Sequence, residues 1–164
     1  MEVICSGLIN PKDISQKNHN KYSTNYKIKY DTVDCLNIPY EDNTFDIVIF
    51  KSVIGALGSE YGQKIAFCEL HRVLKPGGVL LFAENLNSSF LHTYLRRKYS
   101  PWNSYWRYLE LNEIKLFLNK FNSVEMNTTG FFANLISNKS GKKFASYVDY
   151  FIEKMLPKKV RYIV

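Results

Sequence analysis

Residues 34–57 read DCLNIPYEDNTFDIVIFKSVIGAL, and residues 63–84 read QKIAFCELHRVLKPGGVLLFAE. The first stretch opens on a carboxylate, Asp34, and passes through a loop-forming cluster, Pro39 to Asn43. It then enters Phe45, Ile47, Val48, Ile49 and Phe50, a short β-branched run that suits a buried strand. In the second stretch Ala66, Phe67, Leu70, Val73 and Leu74 fall on one face of a helix. Lys75-Pro76-Gly77-Gly78 should end that helix: a cation for its negative end, a proline that cannot continue it, and glycines for the turn. Val79 to Phe82 gives another buried strand. Strand, helix, strand with buried-type strands predicts a βαβ unit and a parallel sheet with helices layered on it. In such sheets ligands sit beyond the carboxyl ends of the strands, so Asp34-Cys35-Leu36, Lys51-Ser52 and Glu84-Asn85 share one rim.

Working outward, Glu2 to Ser6 and Lys27 to Val33 read as further strands, and the polar stretch between them, Gly7 through Asn25, shows no long apolar face. After Glu84, Ser88 or Ser89 can cap a helix over Phe90–Lys98, which Ser100-Pro101 breaks. Trp102, Tyr105, Trp106 and Tyr108 crowd one short segment. A helix is expected over Glu113–Phe121, a strand over Ser123–Thr128 and a polar loop over Asn134–Lys143. An amphipathic helix over Phe144–Leu156 should carry Phe144, Val148, Phe151, Ile152 and Met155 in line, and a last strand should run Val160–Val164.

The chain has 164 residues, 46% hydrophobic and 23% charged, which suits one globular domain over residues 1–164. No apolar run is long enough for a membrane span and no signal peptide is visible, so no membrane partner and a cytoplasmic location are expected. Cys5, Cys35 and Cys68 lack metal-type spacing, so no metal site is expected and reduced thiols are the simpler reading. The net charge of +7 comes from scattered basic residues with small clusters at Arg96-Arg97-Lys98, Lys142-Lys143 and Lys158-Lys159. Scatter of this kind reads as solvated surface rather than a nucleic-acid groove.

Asp34, Ile38-Pro39-Tyr40, Asn43-Thr44-Phe45-Asp46 and Glu69-Leu70-His71-Arg72-Val73-Leu74-Lys75-Pro76-Gly77-Gly78 occur in one order, and together they resemble the class I S-adenosylmethionine-dependent methyltransferases, in particular the small-molecule branch. The resemblance implies a three-layer, Rossmann-like α/β fold with a mostly parallel sheet. The strands at Glu2–Ser6 and Lys27–Val33 become the second and third of seven, and Ile47–Phe50 and Val79–Phe82 the fourth and fifth. It also implies S-adenosylmethionine as cofactor. Asp34 would accept a hydrogen bond from the adenine amino group, with Cys35 and Leu36 against the ring. Lys51 and Ser52 would place backbone beside the methionine part. The other reading of Asp34 is a turn cap. The segment after the fifth strand would cover a small-molecule substrate, with Asn85, His92, Trp102 and Trp106 in contact, Tyr94, Tyr99 and Tyr105 in an aromatic lid, and His92 as candidate base. Those aromatics read equally well as plain core.

Against the family pattern, the first strand and its glycine-rich loop are not found in this chain, and Gly7 stands near the place of the ribose-binding carboxylate. The fold is therefore expected to be N-terminally truncated, with two strand edges lacking a partner. Three readings follow: a small-molecule methyltransferase impaired by the missing loop; a non-catalytic remnant or partner-dependent half, completed by an N-terminal segment or by self-association; and a basic nucleic-acid-binding protein.

Overall fold

In the computed structural model, residues 2–9, 12–21, 27–99, 104–132, 136, 138–158, 161 and 163 are described. Two βαβ units account for its first half. In the first, β1 (Val3–Gly7) and β2 (Ile28–Thr32) are parallel, with Val3 beside Ile28 and Gly7 beside Thr32, and α1 (Lys12–Lys21) connects them. In the second, β3 (Phe45–Lys51) and β4 (Leu74–Ala83) are parallel, with Phe50 beside Phe82, and α2 (Glu60–Val73) crosses between them. The Rossmann-like α/β class with parallel pairing is the one the sequence predicts.

The second unit holds the core. Ser59 caps α2, its Oγ accepting from the Gly62 N–H at 3.1 Å. Ala66, Phe67, Leu70 and Val73 then turn inward and are buried. Phe67 meets the rings of Phe50, Phe82 and Phe117 with centroids 5.5–6.5 Å apart. Ile38, Leu86, Leu109, Ile114 and Leu118 complete the cluster. α4 (Leu111–Phe117) joins it on the same side, opened by a reciprocal capping box of Glu110 and Glu113. A short 3₁₀ turn, Ile54–Leu57, follows β3.

The Lys75–Gly78 turn takes an unexpected form. α2 stops at Val73, Leu74 is already extended and pairs with Phe45, and the ladder resumes at Ile47 with Val79. Lys75 to Gly78 therefore bulge out of β4 rather than separating helix from strand. Gly77 takes φ +78°, which the absence of a Cβ permits.

The expectation that β3 and β4 are buried on both faces is corrected. Val48, Phe50, Leu80 and Phe82 pack into the core, while Ile47, Ile49, Val79 and Leu81 point the other way and stay exposed, Ile49 by 70%. Nor do the two ladders join: among the described residues β1 pairs with β2 and β3 with β4, as separate two-stranded sheets. The period-2 alternation of a strand puts four apolar side chains on a face that no described element covers.

Other expectations also change. Lys12–Lys21 is helical although the polar stretch around it shows no long apolar face, and α5 (Lys139–Ile152) begins inside the expected 134–143 loop because Asn138 caps it, accepting from the Gly141 N–H at 2.6 Å. α3 (Phe90–Tyr99) forms as expected. The strand expected at 123–128 is not regular; Thr129 and Asn85 instead form isolated antiparallel bridges with Ile163. Residues 160, 162 and 164 of the expected 160–164 strand, and Trp102, lie outside the described residues.

Candidate functional site

The carboxyl ends of β1, β2, β3 and β4 carry Gly7, the Val33-Asp34 turn, Lys51-Ser52 and Glu84-Asn85. Asp34 is exposed. Its Oδ1 accepts the Leu36 N–H at 2.9 Å and its C=O accepts the Asn37 N–H at 3.1 Å, an Asx-type turn. Asp34 therefore caps its own turn, and its Oδ2 is left without a partner among the described residues. Leu36 is partly exposed beside it, and burial pushes the Cys35 thiol up.

Ser52 adopts φ +54°, a left-handed conformation unusual for serine, while its N–H donates to the Ala83 C=O at 2.9 Å. Asn85 is half-buried and reaches the Ser52 hydroxyl at 3.4 Å, so the ends of β3 and β4 are pinned together. Lys51 is exposed and pairs through backbone alone with Ala83.

Glu84 was not among the residues singled out for the site, and the structure makes it central. It is 1% exposed, and its Oε1 accepts the N–H groups of Val53 and Ile54 at 2.6 and 2.7 Å. Glu84 thereby fixes the turn that leaves β3. Its Oε2 is buried with no hydrogen-bond partner, and burial raises its pKa against the pull of those backbone donors. The signal available in the sequence was a carboxylate directly after an apolar strand, which is costly to bury unless it organises backbone.

His92 is buried, with Nδ1 2.8 Å from the Ser89 hydroxyl and Nε2 2.8 Å from the Phe131 C=O. Both ring nitrogens are occupied, so the ring ties the start of α3 to residue 131. Trp106 lies on the 3₁₀ turn: a Cβ at Gly55 would come within 2.2 Å of its Nε1, so only glycine fits beneath it. The Arg107 N–H donates to the Gly55 C=O at 2.9 Å, and the Arg107 guanidinium bonds Gln63 and Glu113. Gln63, fully buried, in turn donates to the carbonyls of Ile54 and Arg107. This Gln63–Arg107 link, invisible in the sequence pattern, docks residues 105–110 over the end of β3. Tyr105 and Tyr94 are exposed.

Glu69 and Arg72 form a clasp on the loop after Asp34. Glu69 accepts the Ile38 N–H at 3.0 Å, and Arg72 donates to the carbonyls of Ile38 and Tyr40, both at 2.8 Å. The Arg72 hydrogen bonds hold the Glu69 carboxyl below the usual range. A cavity of about 280 Å³ lies between β4 and residues 118–127 and is lined by none of the rim residues.

Residues 8–82 match the family model described as a methyltransferase domain. Among solved structures, the chain is similar to a protein of Bacillus halodurans assigned as a methyltransferase, at 16% identity and TM-score 0.62, covering 99% of this chain and 78% of that one. It is also similar to an S-adenosylmethionine-dependent methyltransferase of Methanosarcina mazei, at 16% identity and TM-score 0.55, over 72% of this chain and 67% of that one. A stretch of 55 residues is 42% identical to an uncharacterised protein of Haemophilus influenzae, and the chain covers 22% of that relative's length. The chain thus carries a methyltransferase-domain match over residues 8–82 and shares the fold of solved structures that include an enzyme dependent on S-adenosylmethionine as cofactor.

The residues present fit that cofactor at one end. The open Asp34 oxygen and the exposed Leu36 can receive an amino-bearing aromatic ring. At the end of β1 Gly7 offers no carboxylate for a diol, and the buried Glu84 Oε2 still lacks a donor.

Proposed function

We propose that this chain is the core of an S-adenosylmethionine-dependent methyltransferase acting on a small molecule, and that a further strand with a glycine-bearing turn, seated between β1 and β3, completes its cofactor site. The observation that carries the reading is the rim: an open carboxylate oxygen at Asp34, a left-handed Ser52 and a buried, unpartnered Glu84 oxygen stand at successive strand ends. Strained backbone and unsatisfied buried acceptors are uncommon, and they concentrate where a ligand or a further element belongs. The unjoined ladders and the bare Ile47, Ile49, Val79 and Leu81 face support the completing segment, which a strand and its following helix would cover.

Bound S-adenosylmethionine supplies an electrophilic methyl group. In this reading Asp34 accepts from the adenine amino group, Leu36 covers the ring, and the Ser52 turn holds backbone beside the amino-acid end. Asn85 and Trp106 border the substrate side, with Trp102 assigned there from the sequence alone. His92 is a positioning residue rather than a base, because both its nitrogens already hold protein groups. Methyl transfer then depends on orientation and exclusion of water. The nucleic-acid reading gains nothing from the rim, where Asp34 and Glu84 would repel phosphate.

The test is calorimetric titration with S-adenosylmethionine, of the chain alone and with a strand–glycine turn–helix segment supplied. Binding should be weak alone and improve on the order of a hundredfold with the segment, as two or three restored polar contacts imply. Asp34→Ala should lower affinity about tenfold, or about 1.4 kcal/mol. Low-micromolar binding by the unaided chain would remove the need for completion. Equal affinity of wild type and Asp34→Ala would remove Asp34 from the site, and no binding in either condition would overturn the methyltransferase reading.

A further inference from the structure

The helix α5 presents an arrangement that neither the core nor the rim uses. Its inner face is settled: Ala145 is buried, and the Asp149 carboxylate accepts the N–H groups of Phe131 and Phe132 at 2.9 and 2.7 Å. Glu153 is likewise turned to the protein, bonding Thr129 and Arg161. Of the line Phe144, Val148, Phe151, Ile152 and Met155 expected from the sequence, Val148 and Ile152 are partly buried, while Phe144, Phe151 and Met155 are bare, at 71%, 74% and 85% exposure, with Tyr147 beside them. Positions 144, 147 and 151 span less than a quarter of the helical circumference, so they make one stripe, and Met155 follows just past the end of α5. The exposed charges along the same segment are of one sign: Lys139, Lys142, Lys143, Lys154 and Lys158 all face solvent, and both acids of the segment, Asp149 and Glu153, are engaged inward.

We propose that this face of α5 docks on an anionic lipid surface, lying in the headgroup region with Phe144, Tyr147, Phe151 and Met155 inserted and the lysines against the headgroups. Charge and composition select this occupant. An apolar stripe alone would suit many partners, but protein interfaces are depleted in lysine, whereas an aromatic stripe flanked by lysines is the composition of helices that lie in a membrane interface. Long lysine stems can cover the edge of the stripe while their ammonium groups reach phosphate. The helix lies on the surface and does not cross it: no helix among the described residues is long and apolar enough for that. This proposal departs from the expectation of no membrane partner for peripheral attachment alone. The arrangement is independent of the cofactor rim, so neither proposal depends on the other.

Co-sedimentation of the full chain with vesicles of phosphatidylcholine, with and without phosphatidylglycerol, tests the proposal. Sedimentation is expected with the anionic vesicles, weakening as salt is raised. Phe151→Trp should show a blue-shifted emission on binding. Lys143→Gln and Lys154→Gln together should lower partitioning about twenty-five-fold, about a factor of five per lysine. Phe144→Ser with Phe151→Ser should abolish it while circular dichroism is unchanged, since both side chains are exposed. No sedimentation with anionic vesicles, or equal sedimentation of wild type and variants, would overturn the proposal. So would a concentration-dependent dimer, or oligonucleotide binding, that the same substitutions abolish in a chain that ignores vesicles.

Discussion

The two βαβ units have the same connectivity and the same parallel ladder, yet one is a core and the other is a surface. In β3–α2–β4, six residues of the helix are buried and Phe67 sits among three other rings. In β1–α1–β2, no strand residue is buried, and α1, KDISQKNHNK, has a single apolar residue. Each unit pairs one ladder and leaves its outer strand edges unjoined among the described residues, so hydrogen bonding is not what separates them. What separates them is the apolar face of the connecting helix, which in small α/β units supplies most of the stabilisation.

The largest effect should come from removing the centre of the stronger unit. Phe67→Ala is expected to cost about 3–5 kcal/mol, the range for truncating a large buried aromatic. Val3→Ala, in the weaker unit, should cost under about 1 kcal/mol because the site is half-exposed. Denaturant titration of both variants checks the contrast. Similar losses would mean that β1 is packed more tightly than its exposure suggests.

That contrast also explains what could be read in advance. The β3–α2–β4 unit was legible because two short apolar runs flank a helix with one apolar face and a Lys-Pro-Gly-Gly turn follows it, although the period-2 alternation that leaves one strand face bare was not read. α1 was missed because KDISQKNHNK has no apolar stripe, and α5 was begun too late because Asn138 is a local cap that the polar run conceals. Asp34, Ser52, Glu84 and Asn85 were placed on one rim by topology alone. The role of Glu84 as the rim's organiser, and the Gln63–Arg107 link, were not legible, because each acts on backbone distant in sequence: Glu84 on residues 53 and 54, Gln63 on residue 107. No local pattern encodes such partners. His92 looked like a base for its residue type, and only its two hydrogen bonds reveal what it holds.

A middle-sized effect should follow from Glu84, which joins the stronger unit to the rim. Glu84→Ala orphans the Val53 and Ile54 N–H groups and should cost about 2–4 kcal/mol. Glu84→Gln keeps an acceptor for both and should recover part of that loss. The pH dependence has a definite sign. Burial raises the folded pKa of Glu84 above its unfolded value, so its contribution favours the fold at acidic pH and is lost as pH rises through the folded pKa. Stability measured between the ordinary carboxylate value and that raised value should fall with pH in wild type more than in Glu84→Gln. Parallel profiles would show that Glu84 titrates as it does in the unfolded chain.

The smallest effect should sit at the seam between the units. Tyr40, in the loop that Arg72 clasps, donates from its hydroxyl to Asp31 Oδ2 at 2.5 Å, and Asp31 belongs to β2. Its ring meets Phe45 edge-on at 5.0 Å, so one side chain touches both units. The Tyr40 hydroxyl, followed by Lys29, holds the Asp31 carboxyl below the usual range. A depressed folded pKa contributes stability that is present above the unfolded value and is lost as pH falls through the folded one. Tyr40→Phe keeps the ring against Phe45 and removes only the donor. The Asp31 pKa, followed by carboxyl NMR, should therefore rise toward its ordinary value. Amide exchange in β2 should quicken, while exchange in β4 stays unchanged. Faster exchange in both strands would mean that the seam supports the stronger unit as well, and that the two βαβ units open together rather than in sequence.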